Sequence, residues 1–171
     1  IEDETESTDD RNSANMTGRT VELIQKYAVS PVPLLILGEP GTGKDKTAKL
    51  LYRMGDYCEK PLFIVDCSAV RSPEWEQLLL ADDSPFAVID TAIHFKDLDT
   101  LGAQDVQLFF QYAKTTGFLR RNRVTISMTL GSPREAEIRP ILLNEHRCIA
   151  FPLPPLRERI EELPNILALY T

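Results

Sequence analysis

The segment Gly38-Glu39-Pro40-Gly41-Thr42-Gly43-Lys44-Asp45 constrains this chain more than any other. It directly follows the apolar run Leu34 to Leu37 and opens a stretch through Met54 in which Ala48, Leu50 and Leu51 carry the apolar character of a helix. Strand, Gly-rich turn, lysine and helix in that order form an anion cradle. Glycines let successive backbone N–H groups turn inward, the helix N-terminus adds positive partial charge, and Lys44 can reach the β- and γ-phosphates of a nucleotide. Gly38, Glu39, Pro40, Gly41, Thr42, Gly43, Lys44 and Asp45 are therefore the candidate phosphate-binding residues, with ATP or ADP as the expected cofactor. The competing reading is a plain tight turn before a helix. At the last position a Ser or Thr ordinarily offers a hydroxyl to Mg²⁺. Here Asp45 offers a carboxylate, which can hold the metal directly or through water, whereas Thr47 reads as an ordinary helix residue.

The remaining elements follow in alternation. Val21, Leu23, Ile24 and Ala28 give a short amphipathic helix that ends at Ser30-Pro31-Val32-Pro33. Pro61 to Cys67 is a second apolar strand, followed by helical character from Trp75 to Leu80. Phe86 to Asp90 (FAVID) reads as a third strand that ends in a carboxylate. A long helix with Val106, Leu108, Phe109 and Tyr112 on its apolar face comes next. Val124 to Thr129 is a fourth strand, Glu135 to Leu143 a helix, Cys148 to Phe151 a fifth strand, and a charged helix begins near Arg157. Strands apolar on both faces, alternating with helices, imply a parallel sheet covered on both sides.

Length and charge narrow the function. With 171 residues, 43% of them hydrophobic, the chain can bury one α/β domain from residue 15 onward. Residues 1–14 hold six carboxylates and one arginine and read as an acidic flexible linker, which implies sequence upstream. The net charge of −7 argues against a surface that tracks nucleic-acid phosphates, so DNA contact would come from a domain outside this chain. No apolar run approaches the roughly 20 residues of a membrane span, and no signal peptide is evident. Three cysteines without a C-x-x-C pair suggest neither a disulfide framework nor a zinc site, with Cys67 and Cys148 as buried thiols in a reduced, cytoplasmic compartment.

Several segments together resemble the central domain of the sigma-54-dependent bacterial activators, a branch of the AAA+ ATPases. GEPGTGKD is similar to that family's GESGTGKE, and FIVDCSA to its strand-plus-cysteine segment. FAVID is similar to its Walker B strand, GFLRRN to its GEFRRVG stretch, and LPPLRERIEELPNIL (residues 153–167) to its LPPLRERREDIP segment. The resemblance implies a P-loop core with five parallel strands between helices, the helical lid being absent from this chain. It implies self-association into a dimer or higher oligomer, and fusion to an upstream sensor and a downstream DNA-binding domain. In this alignment Asp90 is the Walker B carboxylate and a Mg²⁺ ligand beside Asp45, and Arg139 matches the first of two arginines that reach a neighbouring subunit's nucleotide.

The departures carry the functional expectation. Thr91 stands where the family has the glutamate that activates water, and Glu145 falls at the second arginine position. Thr129-Leu130 replaces the usual Thr-Asn sensor, and no GAFTGA loop, the family's sigma-factor contact, lies between Arg71 and Pro85. The expected protein binds ATP or ADP as a regulatory domain with weak or no hydrolysis and no direct sigma-54 contact. An active ATPase that remodels a protein partner is the alternative, and a scaffold with an empty or reused site is another. Asp66 reads as structural, His94 as a solvated loop residue and Trp75 as core or subunit contact. Arg120, Arg121 and Arg123 read either as a partner-contacting cluster or as a solvated turn, and Arg157 and Arg159 as structural or interface residues.

Overall fold

The computed structural model describes residues 18–153. The acidic linker 1–14 and the segment after Leu153, with Arg157, Arg159 and the expected closing helix, lie outside the described residues. Along the chain, α1 (Gly18–Ala28) leads into β1 (Leu34–Gly38) and α2 (Lys44–Met54). These are followed by β2 (Leu62–Asp66), α3 (Ser72–Leu80), β3 (Ala92–Lys96) and α4 (Ala103–Thr116). A short α5 (Phe118–Arg121) precedes β4 (Arg123–Thr129), α6 (Glu135–Asn144) and β5 (Ile149–Pro152). The strands form one parallel sheet in the order β2-β3-β4-β1-β5. This is the α/β architecture expected of an AAA+ P-loop core. No described helix is long and apolar enough to cross a membrane.

Side-chain alternation sorts the sheet into two unlike faces. Leu35, Leu37, Val65, Ile93, Phe95, Val124, Ile126 and Met128 join the larger core, with Trp75, Phe86, Phe109 and Phe118 from the covering elements. Rings meet closely there: Phe95 lies 5.1 Å from Phe109 and 5.3 Å from Phe86, centroid to centroid. On the opposite face Leu34, Ile36 and Phe151 pack with Ile24, Ala28, Ala48 and Leu51 of α1 and α2. The apolar cover of that second face stops at β1 and β5. Further across, β4 and β3 present buried Arg123, Thr125, Ser127 and His94, and Ile64 of the edge strand β2 is 50% exposed. The strands are thus not apolar on both faces as their sequences suggest.

The third strand also lies elsewhere. FAVID forms no strand; Pro85–Ala87 is a single 3₁₀ turn and β3 is the next segment, Ala92–Lys96. Proline supplies a fixed φ and lacks a ladder donor, and the Ser84 hydroxyl accepts the Phe86 N–H at 3.2 Å, so the chain curls at this point. Of the apolar residues in the run only Phe86 is buried, while Val88 and Ile89 are 51% and 60% exposed. Asp90, at φ 62°, then turns the backbone into β3. Ala92, Ile93, His94 and Phe95 are all buried between β2 and β4.

Candidate functional site

The phosphate loop joins the C-terminal end of β1 to α2, in the crevice where open parallel sheets present ligand sites. Two of its glycines have the left-handed backbone that other residues adopt at a cost, Gly41 at φ 78° and Gly43 at φ 85°, the latter capping α2. A Cβ on Gly38 would stand 2.3 Å from the Thr42 hydroxyl, which itself donates to the Glu39 carbonyl at 2.8 Å. Lys44 folds back over the loop, and its Nζ donates to the carbonyls of Gly38 and Glu39 at 3.1 Å each. Thr47 is buried, with its hydroxyl donating to the Gly43 carbonyl at 2.9 Å, which suits a structural helix residue. A cleft of about 510 Å³ lies over Pro40 to Lys46 and is lined also by Lys96, Asp97 and Thr129. That volume is ample for the phosphates and sugar of a nucleotide.

The residues facing the loop are not the ones the sequence suggests. Asp90 and Thr91 precede β3 and lie at the N-terminal edge of the sheet. With roughly 3.3 Å of rise per residue, Asp90 is on the order of 20 Å along the strand from the loop end. Asp90 is exposed and accepts a 3.4 Å hydrogen bond from Tyr57, while Thr91 is buried and linked to Asn122 through its amide at 3.3 Å. Neither residue can touch a phosphate or a metal bound at the loop. The pair at the C-terminal end of the corresponding strand is Lys96-Asp97. A cation therefore stands where the resemblance leads one to expect the metal-facing carboxylate, and an aspartate stands where it leads one to expect glutamate. The signal was present in the sequence: AIHFKD also ends in a carboxylate, but His94 and Lys96 break the apolar run and FAVID outranks it on hydropathy alone.

Asp45 sits at the centre of a charge cluster. Its carboxylate is 3.1 Å from Lys96 Nζ and 3.8 Å from His94 Nε2. Contact with His94 and then with Lys96 outweighs partial burial and lowers the Asp45 pKa to about 2. His94 is a buried strand residue, not a solvated loop residue, and its Nδ1 lies 2.8 Å from the Thr125 hydroxyl. Asp97, in a left-handed backbone conformation at φ 56°, has a carboxyl pKa raised by burial despite the opposing pull of Lys44. Its amide donates to the Ser127 hydroxyl at 3.1 Å.

The other singled-out residues separate from the cleft. Arg139, 39% exposed, is paired with Glu135 one helical turn earlier at 3.0 Å, and Glu145 follows α6 in an exposed position. Arg123 belongs neither to a partner-contacting cluster nor to a solvated turn. It is buried and its guanidinium donates to the carbonyls of Tyr27, Ser30 and Val32 at 2.6–2.8 Å, tying the end of α1 to β4. Trp75 is core, with its indole N–H donating to the Asp105 carbonyl at 3.0 Å. Cys67 and Cys148 are buried thiols, and burial pushes both pKa values upward, that of Cys148 to about 12.

Comparison with known proteins agrees with this architecture. Residues 11–82 match the Sigma-54 interaction domain. The putative uric acid sigma-54-dependent transcriptional regulator UacR of Escherichia coli (strain K12) is 35% identical over 57 residues, which are 33% of this chain and 9% of that protein. NtrX from Brucella abortus in complex with ATP superposes with a TM-score of 0.75 at 15% identity, over 98% of this chain and 45% of that one. The ADP complex of the same protein gives 0.72 at 15% identity, over 94% and 43%. The P-loop NTPase domain of a sigma-54 transport activator from E. coli gives 0.55 at 14% identity, over 81% and 94%. The chain thus has the α/β architecture of an AAA+ P-loop core, and its matches cover less than half the length of NtrX and about a tenth of UacR.

Proposed function

We propose that this chain is the nucleotide-binding regulatory domain of a cytoplasmic bacterial transcription regulator related to the sigma-54 activators, one that binds ATP or ADP with weak or no hydrolysis. The observation that carries the reading is the loop from Gly38 to Asp45 at the C-terminal edge of the sheet, with two left-handed glycines, the start of α2 and Lys44 all facing one cleft. On nucleotide binding Lys44 would exchange its two carbonyl contacts for phosphate oxygens. Charge-assisted contacts of this kind are worth about 1.5–3 kcal/mol, so Lys44→Ala should weaken ADP binding roughly ten- to a hundredfold. Calorimetric titration of the variant against the parent checks this, and equal affinities would leave the loop an ordinary turn in a scaffold.

Weak hydrolysis is supported by the end of β3 rather than by Thr91. Lys96 supplies no metal-binding oxygen, and Asp97 is one methylene shorter than the glutamate the resemblance leads one to expect. General-base help is typically worth about 10²–10⁴ in rate, which is the scale of loss expected if Asp97 cannot reach the attacking water. Because Asp97 does keep a carboxylate at the cleft, an active ATPase remodelling a protein partner is the second reading. Lys44-dependent turnover at rates ordinary for an ATPase would establish it.

Self-association and fused sensor and DNA-binding domains complete the proposal, with DNA contacted only through a domain outside this chain and no membrane partner. Arg139 would have to leave Glu135 to reach a neighbouring subunit. Direct sigma-54 contact is proposed to be lacking, since α3 and one 3₁₀ turn occupy the interval between β2 and β3 and the sequence contains no GAFTGA. The two carboxylates that the resemblance nominates for magnesium do not fit it. Asp90 is at the wrong edge of the sheet, and Asp45 already holds an ammonium group where an ion would need 2.0–2.1 Å access to its oxygens.

A further inference from the structure

That misfit has a specific form. In the cleft Lys96 Nζ lies 3.1 Å from Asp45 Oδ2, so a monovalent cation on β3 is paired, beside the phosphate loop, with a carboxylate in the first turn of α2. In the same cleft, Lys44 Nζ is engaged by loop carbonyls, and Lys46 of α2 also lines the space. Two carboxylates, Asp45 and Asp97, are the counter-charges lining the cleft, and the described residues contain no cluster of three or more metal-capable His, Cys, Asp or Glu side chains. His94 Nε2 faces the other oxygen of Asp45 at 3.8 Å, so both carboxylate oxygens already look onto nitrogen atoms.

We infer that this site binds its nucleotide without a divalent cation, the Lys96 ammonium beside Asp45 supplying one of the two positive charges that such a metal would bring. The inference rests on the nucleotide-binding reading above. A dication entering beside Lys96 would be repelled by it at close range and would have to displace it from Asp45 Oδ2. A phosphate chain laid over the loop would instead meet Lys44 on one side and Lys96 on the other. Both are point-charge donors with three N–H groups each, able to bind phosphate oxygens without ordered metal waters.

The test is calorimetric titration of ADP into the full chain, once with magnesium in excess and once with EDTA in excess. The expected result for the parent is one affinity in both solutions, within about threefold. Lys96→Met should weaken binding about tenfold in both, while circular dichroism shows the fold retained. Lys96→Asp, which removes the built-in cation and adds an oxygen ligand, should make binding depend on magnesium. Parent binding that EDTA abolishes would overturn the inference while leaving the nucleotide reading intact, and so would a Lys96→Met protein with unchanged affinity. No ADP binding by the folded parent in either solution would overturn the nucleotide reading itself, and this inference with it.

Discussion

The two faces of the central sheet are built on different principles. One face is a close-packed aromatic core in which Trp75, Phe86, Phe95, Phe109 and Phe118 are all fully buried. The other, across β3 and β4, buries Arg123, Thr125, Ser127 and His94 and leads at its C-terminal end to the Asp45–Lys96 pair. On the first face side chains are interchangeable in chemistry and constrained in volume. On the second they are constrained in chemistry, because each buried polar atom needs a partner in a fixed direction. The ligand cleft opens from the second face and the loop beside it. The aromatic face holds β3 at a fixed height, so that Lys96 and Asp97 meet the loop.

Substitutions on the two faces should therefore fail in different ways. The largest loss is expected for Phe95→Ala, which empties the centre of the aromatic cluster and should cost about 3–5 kcal/mol in urea unfolding. A loss below about 1 kcal/mol would show that the cluster is loosely packed. Arg123→Met on the polar face keeps the volume but leaves the carbonyls of Tyr27, Ser30 and Val32 without their donor. The expected cost is on the order of 3 kcal/mol, with α1 loosening first in hydrogen exchange. Uniform loss of protection across the sheet would place Arg123 in the global core instead.

The smallest effect is electrostatic and pH-dependent. Contact with His94 and Lys96 depresses the Asp45 carboxyl from 3.8 to about 2, so its stabilising contribution is present above about pH 4 and disappears as pH falls through about 2. The Asp45 side chain is 49% exposed, and solvent screening keeps this contribution below about 1 kcal/mol. Asp45→Asn should accordingly be slightly less stable than the parent near neutrality and should converge with it in acid. A stability gap that does not change across that range would mean that Lys96 contributes nothing to folding through Asp45.

Much of the fold was legible in the chain because it is written in local periodicity. The run Leu34 to Leu37, the glycine spacing before Lys44 and the apolar face of α4 each need only neighbouring residues to be read. The same holds for the loop: Gly41 and Gly43 need left-handed backbone wherever the chain goes next, and the lysine between that turn and a helix has few other uses. Strand β3 was not legible in this way. FAVID and AIHFK compete within eleven residues, and hydropathy favours the former although only the latter can lie between β2 and β4. His94 and Lys96 look solvated in a linear reading because the sequence does not show that Thr125 and Asp45 will face them.

What the sequence by itself determined was the class of architecture and the phosphate loop. These depend on residue type and spacing along strand–turn–helix units. Tertiary structure alone decided which segment became the third strand, and so which residues stand opposite the loop. Moving that strand from FAVID to AIHFK replaces Asp90-Thr91 with Lys96-Asp97 at the cleft, and changes the expected metal site into an internal ion pair. It also buried Arg123, whose three acceptors come from a segment some 91–96 residues earlier. Side chains on neighbouring parallel strands are far apart in sequence, and their partners are set by sheet order and register, which no local pattern encodes.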